Sequence, residues 1–357
     1  MENKKPVTVI VVNWNGCDLL RESLFSLRRQ TYPNFHVIVV DNGSIDGSLE
    51  MLENEFSGFA YLIKNSRNHG FCRAVNQAIQ ASQSQYVALL NNDAEARPTW
   101  LEEMVRAVER AGDIGMCASK ILKYNQPNVI DKVGHLIYLD GQNRGRGTDQ
   151  TDHGQFDREE ETLFPDGCAA LYRRSVFDTV GLFDEDFFAY GDDAELGLRA
   201  RLGGWRAVYS PWAVVLHHHS QTLGAFSPEK IFFVERNRLW LAVKLFPLSV
   251  LLLNPYYAGL RFLVGLAASL FRKGPAGDFA QEYSSPRLIW TVLRANMAAM
   301  IGLPQMWKKR RKVRGGKRLS DVELRRILSQ HRIGLMELTF GTQDKTHLDS
   351  AKGDMLG

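Results

Sequence analysis

The chain has 357 residues, 45% of them hydrophobic and 24% charged. These are ordinary globular values, enough for about two domains, and they exclude disordered, collagen-like and disulfide-scaffold classes. The net charge of +4 is unevenly spread: residues 1–228 hold 22 Lys and Arg against 30 Asp and Glu, and residues 229–357 hold 22 against 10. An acidic first part and a basic second part point to two units with different partners. Cys17, Cys72, Cys117 and Cys168 form no CxxC pair and read as reduced thiols. An apolar run of about six residues ahead of Asn13 is too short for a signal peptide, so none is expected.

Residues 7–12 are a continuous β-branched run, the pattern of a strand buried on both faces. Helical spacing follows over 18–29 (Leu19, Leu20, Leu24, Leu27), then a second strand at 36–40. Leu49, Leu52 and Phe56 mark another helix, and 59–63 a third strand. Phe71, Ala74, Val75, Ala78 and Ile79 give the clearest helix, over 71–82. A fourth strand is predicted at 86–90, and Leu101, Met104, Val105 and Val108 mark a further helix. Strand alternating with helix at this rhythm predicts a mostly parallel sheet covered by crossover helices. Residues 125–165, polar and without clear period, are expected to form a long loop or small flap. Helical spacing returns at 192–202, with short strands expected at 205–209 and 213–216.

Ligands on such sheets sit beyond the carboxyl ends of the strands. Four polar clusters stand there: NWNG, DNGSIDGS, NSRNHGF and NNDAE. In NNDAE, Asp93 and Glu95 read either as an acidic turn or as ligands of a hard divalent cation, which takes one or two carboxylates together with substrate phosphates. DNGSIDGS reads either as a turn with a helix cap or as a site where Asp41 accepts a ligand N–H, such as a pyrimidine imide. No GxGxxG follows the first strand, which disfavours a dinucleotide-binding dehydrogenase.

Taken together, VVNWNG, DNGSIDGS, NHGFCRAVNQAI, LLNNDAE, the segment from DGCAALYRRS through FDEDFFAYGDDAELGLRARLGGW, and AVVLHHHS resemble the family 2 glycosyltransferases. The nearest resemblance is to the rhamnosyltransferase-like branch that builds bacterial surface polysaccharides, and it covers about two thirds of the chain. The resemblance implies a GT-A fold and an inverting single displacement from a nucleotide-diphosphate sugar, dTDP-rhamnose or a UDP-sugar, to a hydroxyl of a saccharide or lipid-linked acceptor. It implies donor contacts at Asn13, Asp41, Asn68, Gly70, Asn76 and Asn92. Asn91-Asn92-Asp93 stands at the family's DxD position, which makes Asp93 the expected ligand of Mg2+ or Mn2+, with Glu95 as a helper. His217 is a second expected metal ligand, with His219 able to share its strand face. GDDAEL stands where the family often writes EDVDL, so the catalytic base maps to Asp193, with Asp192 and Glu195 as the other acids of the group. Helix geometry puts 192 and 195 on one face and 193 about 100° away. Arg236, in FVERNRLW, is expected to close over the diphosphate.

Two other readings compete. A processive synthase carries QxxRW, and ERNRLW lacks the Gln and has Trp one place late. A catalytically inactive nucleotide-sugar binder or scaffold of the same fold predicts loss of the acids at 93 and 193, and both are present.

Residues 1–240 are therefore expected to form the catalytic domain, and 241–357 a helical, basic, membrane-associating region. The uncharged stretch between Lys244 and Arg261 is interrupted by Pro247, Asn254 and Pro255 and is short of the roughly 20 residues of a spanning helix. Two apolar helices lying in the membrane interface are expected instead. KKRRKVRGGKR (308–318), read beside them as an anionic-lipid patch or alone as a solvated linker, has no aromatic or helix-turn-helix companion for nucleic acid. The expected location is cytoplasmic, peripheral on the inner face of the membrane.

Overall fold

A computed structural model describes residues 4–218, 227–271 and 285–341, except the side chain of residue 285. Its elements in chain order are β1 Val7–Asn13, α1 Cys17–Arg28, β2 Phe35–Asp41, α2 Ser48–Glu55, β3 Ala60–Lys64, α3 Phe71–Ala81, β4 Tyr86–Leu90, β5 Ala94–Ala96, α4 Trp100–Glu109, β6 Ile114–Lys123, β7 Gln126–Lys132, β8 His135–Ile137, β9 Asn143–Gly145, β10 Glu160–Thr162, β11 Ala169–Arg173, α5 Arg174–Val180, α6 Asp192–Leu202 and β12 Arg206–His217. The chain continues with α7 Pro228–Leu245, α8 Leu248–Leu252, α9 Asn254–Leu270, α10 Ser285–Ile301, α11 Leu303–Gly315, α12 Asp321–Gln330 and α13 Leu335–Phe340.

The central sheet runs β10-β12-β6-β11-β4-β1-β2-β3. Strands β4, β1, β2 and β3 are mutually parallel, as are β6 and β12, while β11 is inserted antiparallel between β4 and β6. Alternation along each strand builds two cores. Val7, Val9 and Val11 of β1 face α1, α2 and α4 with Val37, Val39, Leu24 and Trp100. Ile10 packs on the other face with Ile38, Val40, Val75 and Ile79, against α3, α6 and α7. This two-sided burial is why β1 has no polar alternation.

Three expectations are corrected. Residues 125–165 are not a plain loop: β7 pairs with β6 and β8 with β9, and β10 closes the sheet edge on β12. The two strands expected at 205–209 and 213–216 are one strand, β12, whose register on β6 shifts between Ser210 and Val214. Pro211, which has no N–H for the ladder, stands in that shift. The boundary expected at 240 falls inside α7, and Trp240, Leu241, Ala242 and Phe246 belong to the same core as Ile10 and Val75.

Candidate active site

The parallel strands end on a cavity of about 870 Å³. Its floor comes from Val12 near the end of β1 and Trp14 just beyond it, Asn42 after β2, Asn68 and Gly70 before α3, and Asn91 to Asp93 after β4. The opposite wall comes from Asp131, Lys132 and His135 of β7 and β8, Asp166 to Cys168, Phe188 to Asp193, His217, and α7.

A polar chain ties the strand ends together. Asn92 Nδ2 donates to Asn13 Oδ1 (2.8 Å), and Asn13 Nδ2 donates to Asp41 Oδ2 (3.0 Å). The other Asp41 oxygen accepts the N–H groups of Gly43 (3.1 Å) and Ser44 (2.8 Å). Asp41 and Asn13 are fully buried, so they shape the loops, and the neighbouring Asn42 and Asn92 line the cavity. Asn68 Oδ1 accepts from Gly70 N at 2.8 Å. Gly70 has φ +85°, and a Cβ there would lie 2.5 Å from the Phe188 ring, so only glycine lets that ring close over the start of α3.

Asp93 is buried, and its Oδ1 lies 3.2 Å from His217 Nε2. His217 Nδ1 is 2.7 Å from Asp131 Oδ2. Burial pushes the Asp93 carboxyl up, but the hydrogen bond and charge of His217 hold it below its ordinary value. For His217, burial opposes the charged ring, yet Cys168, Asp131 and Asp93 raise it well above the usual histidine range.

These residues fit a divalent cation. Two ligand atoms on adjacent vertices of an octahedron with bonds near 2.1 Å stand about 3 Å apart, close to the Asp93–His217 separation. The Asp131 carboxylate behind the imidazole is the outer-shell partner that orients a histidine ligand. Glu95 does not help here: it turns toward Arg29 (4.0 Å) and His218 (3.6 Å). His218 stacks on Tyr124, 3.6 Å between ring centroids, and His219 lies outside the described residues.

Across the cavity, the first turn of α6 brings in Asp192 and Asp193. Asp193 Oδ2 is 3.6 Å from His135 Nε2 and accepts the Gly167 N–H at 3.4 Å. His135 Nε2 is also 2.7 Å from Asp166 Oδ2, which pairs with Lys132 Nζ at 3.0 Å. A helix N-terminus favours charged carboxylates, but burial wins: it raises Asp193 above the ordinary range against the opposing charges of His135 and Lys132. Burial, and then the neighbouring Asp193, raise Asp192 well above it. A raised carboxylate is a better proton acceptor near neutrality. His135, Asp166 and Asp193 are also spaced to hold an ion, but the Lys132 ammonium already supplies positive charge to Asp166.

Besides the buried Asn13 and Asp41, three more expected site residues do not line the cavity. Glu195 is fully buried, its carboxylate accepting from Arg199 Nε (2.8 Å) and Nη2 (2.7 Å) and pairing with Lys244 Nζ (2.6 Å). Asn76 is spent on the backbone of Phe183, donating to its carbonyl (2.9 Å) and accepting its N–H (3.0 Å). Arg236 donates to the carbonyls of Asp186 and Phe187, both at 3.0 Å, and lies over the Trp240 ring. With Asn237, which donates to the carbonyls of Phe187, Ala189 and Tyr190, it clamps the segment that feeds α6. Phe188 and Tyr190 there have φ of +66°, strained for L residues, and the clamp holds them.

Asp131, Lys132, His135 and Asp166 were not singled out from the sequence. Asp131 and Lys132 interrupt an apolar run (Val129, Ile130, Val133), and Asp166 opens the DGC triplet before β11. Charged residues inside a buried strand were the available signal.

Residues 8–181 match the family model described as Glycosyl transferase family 2. An uncharacterized protein of Sinorhizobium fredii is 30% identical over 243 residues, 64% of this chain and 26% of that protein. An O-antigen biosynthesis protein of Myxococcus xanthus is 30% identical over 251 residues, 67% of this chain and 19% of that protein. The chain thus spans about a quarter and a fifth of those relatives' lengths. The N-acetylglucosaminyl-diphospho-decaprenol L-rhamnosyltransferase of Mycobacterium tuberculosis is 28% identical over 237 residues, 60% of this chain and 77% of that enzyme. Among solved structures, GalNAc-T7 with UDP, GalNAc and Mn2+ aligns with TM-score 0.56 at 16% identity, over 68% of this chain and 48% of that one. The mannosyltransferase PcManGT of Pyrobaculum calidifontis, in complex with GDP-Man and Mn2+, aligns with TM-score 0.50 at 20% identity, over 86% and 89%. At these identities the likeness shows the fold, which is GT-A.

Proposed function

The chain belongs to glycosyltransferase family 2, and from that premise we propose that it moves a sugar, with inversion, from a nucleotide-diphosphate sugar to a hydroxyl of a saccharide or lipid-linked acceptor in cell-surface polysaccharide synthesis. The supporting observation is that Asp93 and Asp193, a hundred positions apart in the chain, line one cavity. The L-rhamnosyltransferase relative favours an activated rhamnose, dTDP-rhamnose, as donor, with UDP-sugars as the other candidates.

Asp93 and His217 hold Mg2+ or Mn2+ in this reading, and the bound cation supplies Lewis-acid stabilisation to the departing nucleotide diphosphate. Asp131 orients His217. Asn42, Asn68 and Asn92 offer the nucleotide end of the cavity its hydrogen-bonding groups. Asp193 takes the proton of the acceptor hydroxyl as that oxygen attacks the anomeric carbon from the face opposite the leaving group. A positioned base of this kind contributes about 10²–10⁴-fold in rate. The charges of His135 and Lys132 oppose the burial that disfavours an ionised Asp193.

The test is a screen of nucleotide sugars for binding and slow hydrolysis, with Mg2+, Mn2+ or excess chelator. One donor bound and turned over only with the cation is the expected result. Equal activity in chelator would remove the metal from the reaction, and no binding of any nucleotide sugar would remove the function.

A further inference from the structure

Helix α9 is amphipathic the wrong way round for water. Its one charged side chain, Arg261, turns inward, donating from Nε to Asp140 Oδ2 (2.5 Å) and from Nη1 and Nη2 to Glu235 (2.7 Å each). Its outer side carries Tyr256, Leu263 (62% exposed), Leu270 and, just beyond, Phe271 (75%). A solvated helix places polar residues outward.

The outer side of α10 repeats the pattern. Trp290, Leu293, Met297 and Ile301 recur at helical spacing and are half to four-fifths exposed. The same spacing continues through Pro304 into α11, where the exposed residues become Lys308, Arg311 and Lys312. The remaining cations of the basic run are largely used within the protein. Lys309 pairs with Asp184 and Asp186, Arg310 donates to the carbonyls of Val243 and Phe246, and Arg314 and Lys317 pair with Asp321.

We propose that the outward faces of α9 and α10 and the exposed cations of α11 form one docking surface for an anionic lipid bilayer, on which the protein lies without crossing. No helix among the described residues is long and apolar enough to span, and the 17 residues of α9 extend about 25 Å, with Arg261 tethered at mid-helix. Indole and phenol side chains at 256, 290 and 307 are the types that sit at the headgroup level. A second copy of this chain is the poorer occupant: facing copies would oppose basic runs that contain no acid, and lysine is depleted in protein interfaces. Anionic headgroups complement that charge.

The surface is braced to the site. Arg261 holds Asp140 and Glu235, which also hold Arg238, and Gly141 and Arg238 line the cavity. Docking would set the cavity wall beside the membrane, where a lipid-linked acceptor is anchored. Only this last consequence rests on the proposed function.

The test is flotation of the full chain with vesicles of phosphatidylglycerol and phosphatidylcholine, against phosphatidylcholine alone, a readout independent of turnover. The wild type should float with the anionic vesicles. Each charge near the surface is worth about fivefold in binding, so Lys308→Gln, Arg311→Gln and Lys312→Gln together should weaken it roughly a hundredfold. Leu263→Ser with Leu270→Ser should release the protein also, and unchanged circular dichroism and melting should accompany both sets. Equal flotation with both vesicles, flotation unmoved by either set, no flotation at all, or dimers that the same exchanges dissociate would overturn the proposal.

Discussion

Glu195 and Asp193 are two positions apart on α6, and exchanging each for its amide should have opposite consequences. Glu195→Gln removes the anion from between Arg199 and Lys244. Arg199 keeps its bonds to the carbonyls of Val180, Gly181 and Leu182, and Lys244 keeps Asp184 at 2.5 Å, but two buried cations then share one carboxylate fewer. Breaking a buried pair by removing one partner costs about 3–5 kcal/mol, a large share of the 5–15 kcal/mol that typically separates folded from unfolded chains. At about 2–4 °C per kcal/mol for a domain of this size, the melting temperature should fall by roughly 6–20 °C. The assay is thermal unfolding followed by circular dichroism, with turnover measured well below the transition and expressed per folded molecule. Turnover per folded molecule should stay within a few-fold of the wild type. An unchanged melting temperature together with lost turnover would refute the structural assignment and return Glu195 to the chemistry.

Asp131→Asn should leave the fold intact and weaken Mn2+ binding about 10–100-fold, read by titration; unaltered affinity would separate Asp131 from the His217 site. Turnover should fall along an acidic limb that lies above the ordinary aspartate range, because burial raises Asp193 and only its ionised form accepts a proton; a limb at ordinary aspartate values would contradict this. The buried acids of the C-terminal helices predict acid sensitivity of stability. Contacts with Arg261 and Arg238 outweigh burial and hold Glu235 at about 2, below its ordinary 4.5. The native state therefore binds fewer protons than the unfolded chain between those values. The stabilisation is present above the unfolded value and lost as pH falls toward the folded one, about 3 kcal/mol in full. The denaturant midpoint should drop across that window, and a flat midpoint would refute the reading.

The parallel half of the fold was legible because its periods are strong. The strands at 7–12, 36–40 and 86–90 and the helices at 71–82 and 192–202 match β1, β2, β4, α3 and α6 within a residue or two. Each buries one face or both, and burial writes itself into hydrophobic spacing. The antiparallel segments at 126–162 were not legible, because three-residue strands such as β8 and β9 are too short to display a period, and the first half of β7 is polar and exposed. Asp131, Lys132 and His135 were missed for the same reason. Among the acids of GDDAEL, the roughly 100° turn between 193 and its neighbours was readable from helix geometry. Which of them faced the cavity and which faced Arg199 and Lys244 depended on where α7 packs.

The proposal as a whole depends on Asp93 and Asp193 working on one bound donor, and parallel measurement of donor affinity and single-turnover transfer in Asp93→Asn and Asp193→Asn tests it most directly. With Mn2+ present, Asp193→Asn should bind the nucleotide sugar as the wild type does and transfer it about 10²–10⁴-fold more slowly, while Asp93→Asn should lose the Mn2+ dependence of donor binding. Transfer at the wild-type rate by Asp193→Asn, or donor binding by Asp93→Asn that still rises with Mn2+ as in the wild type, would contradict it.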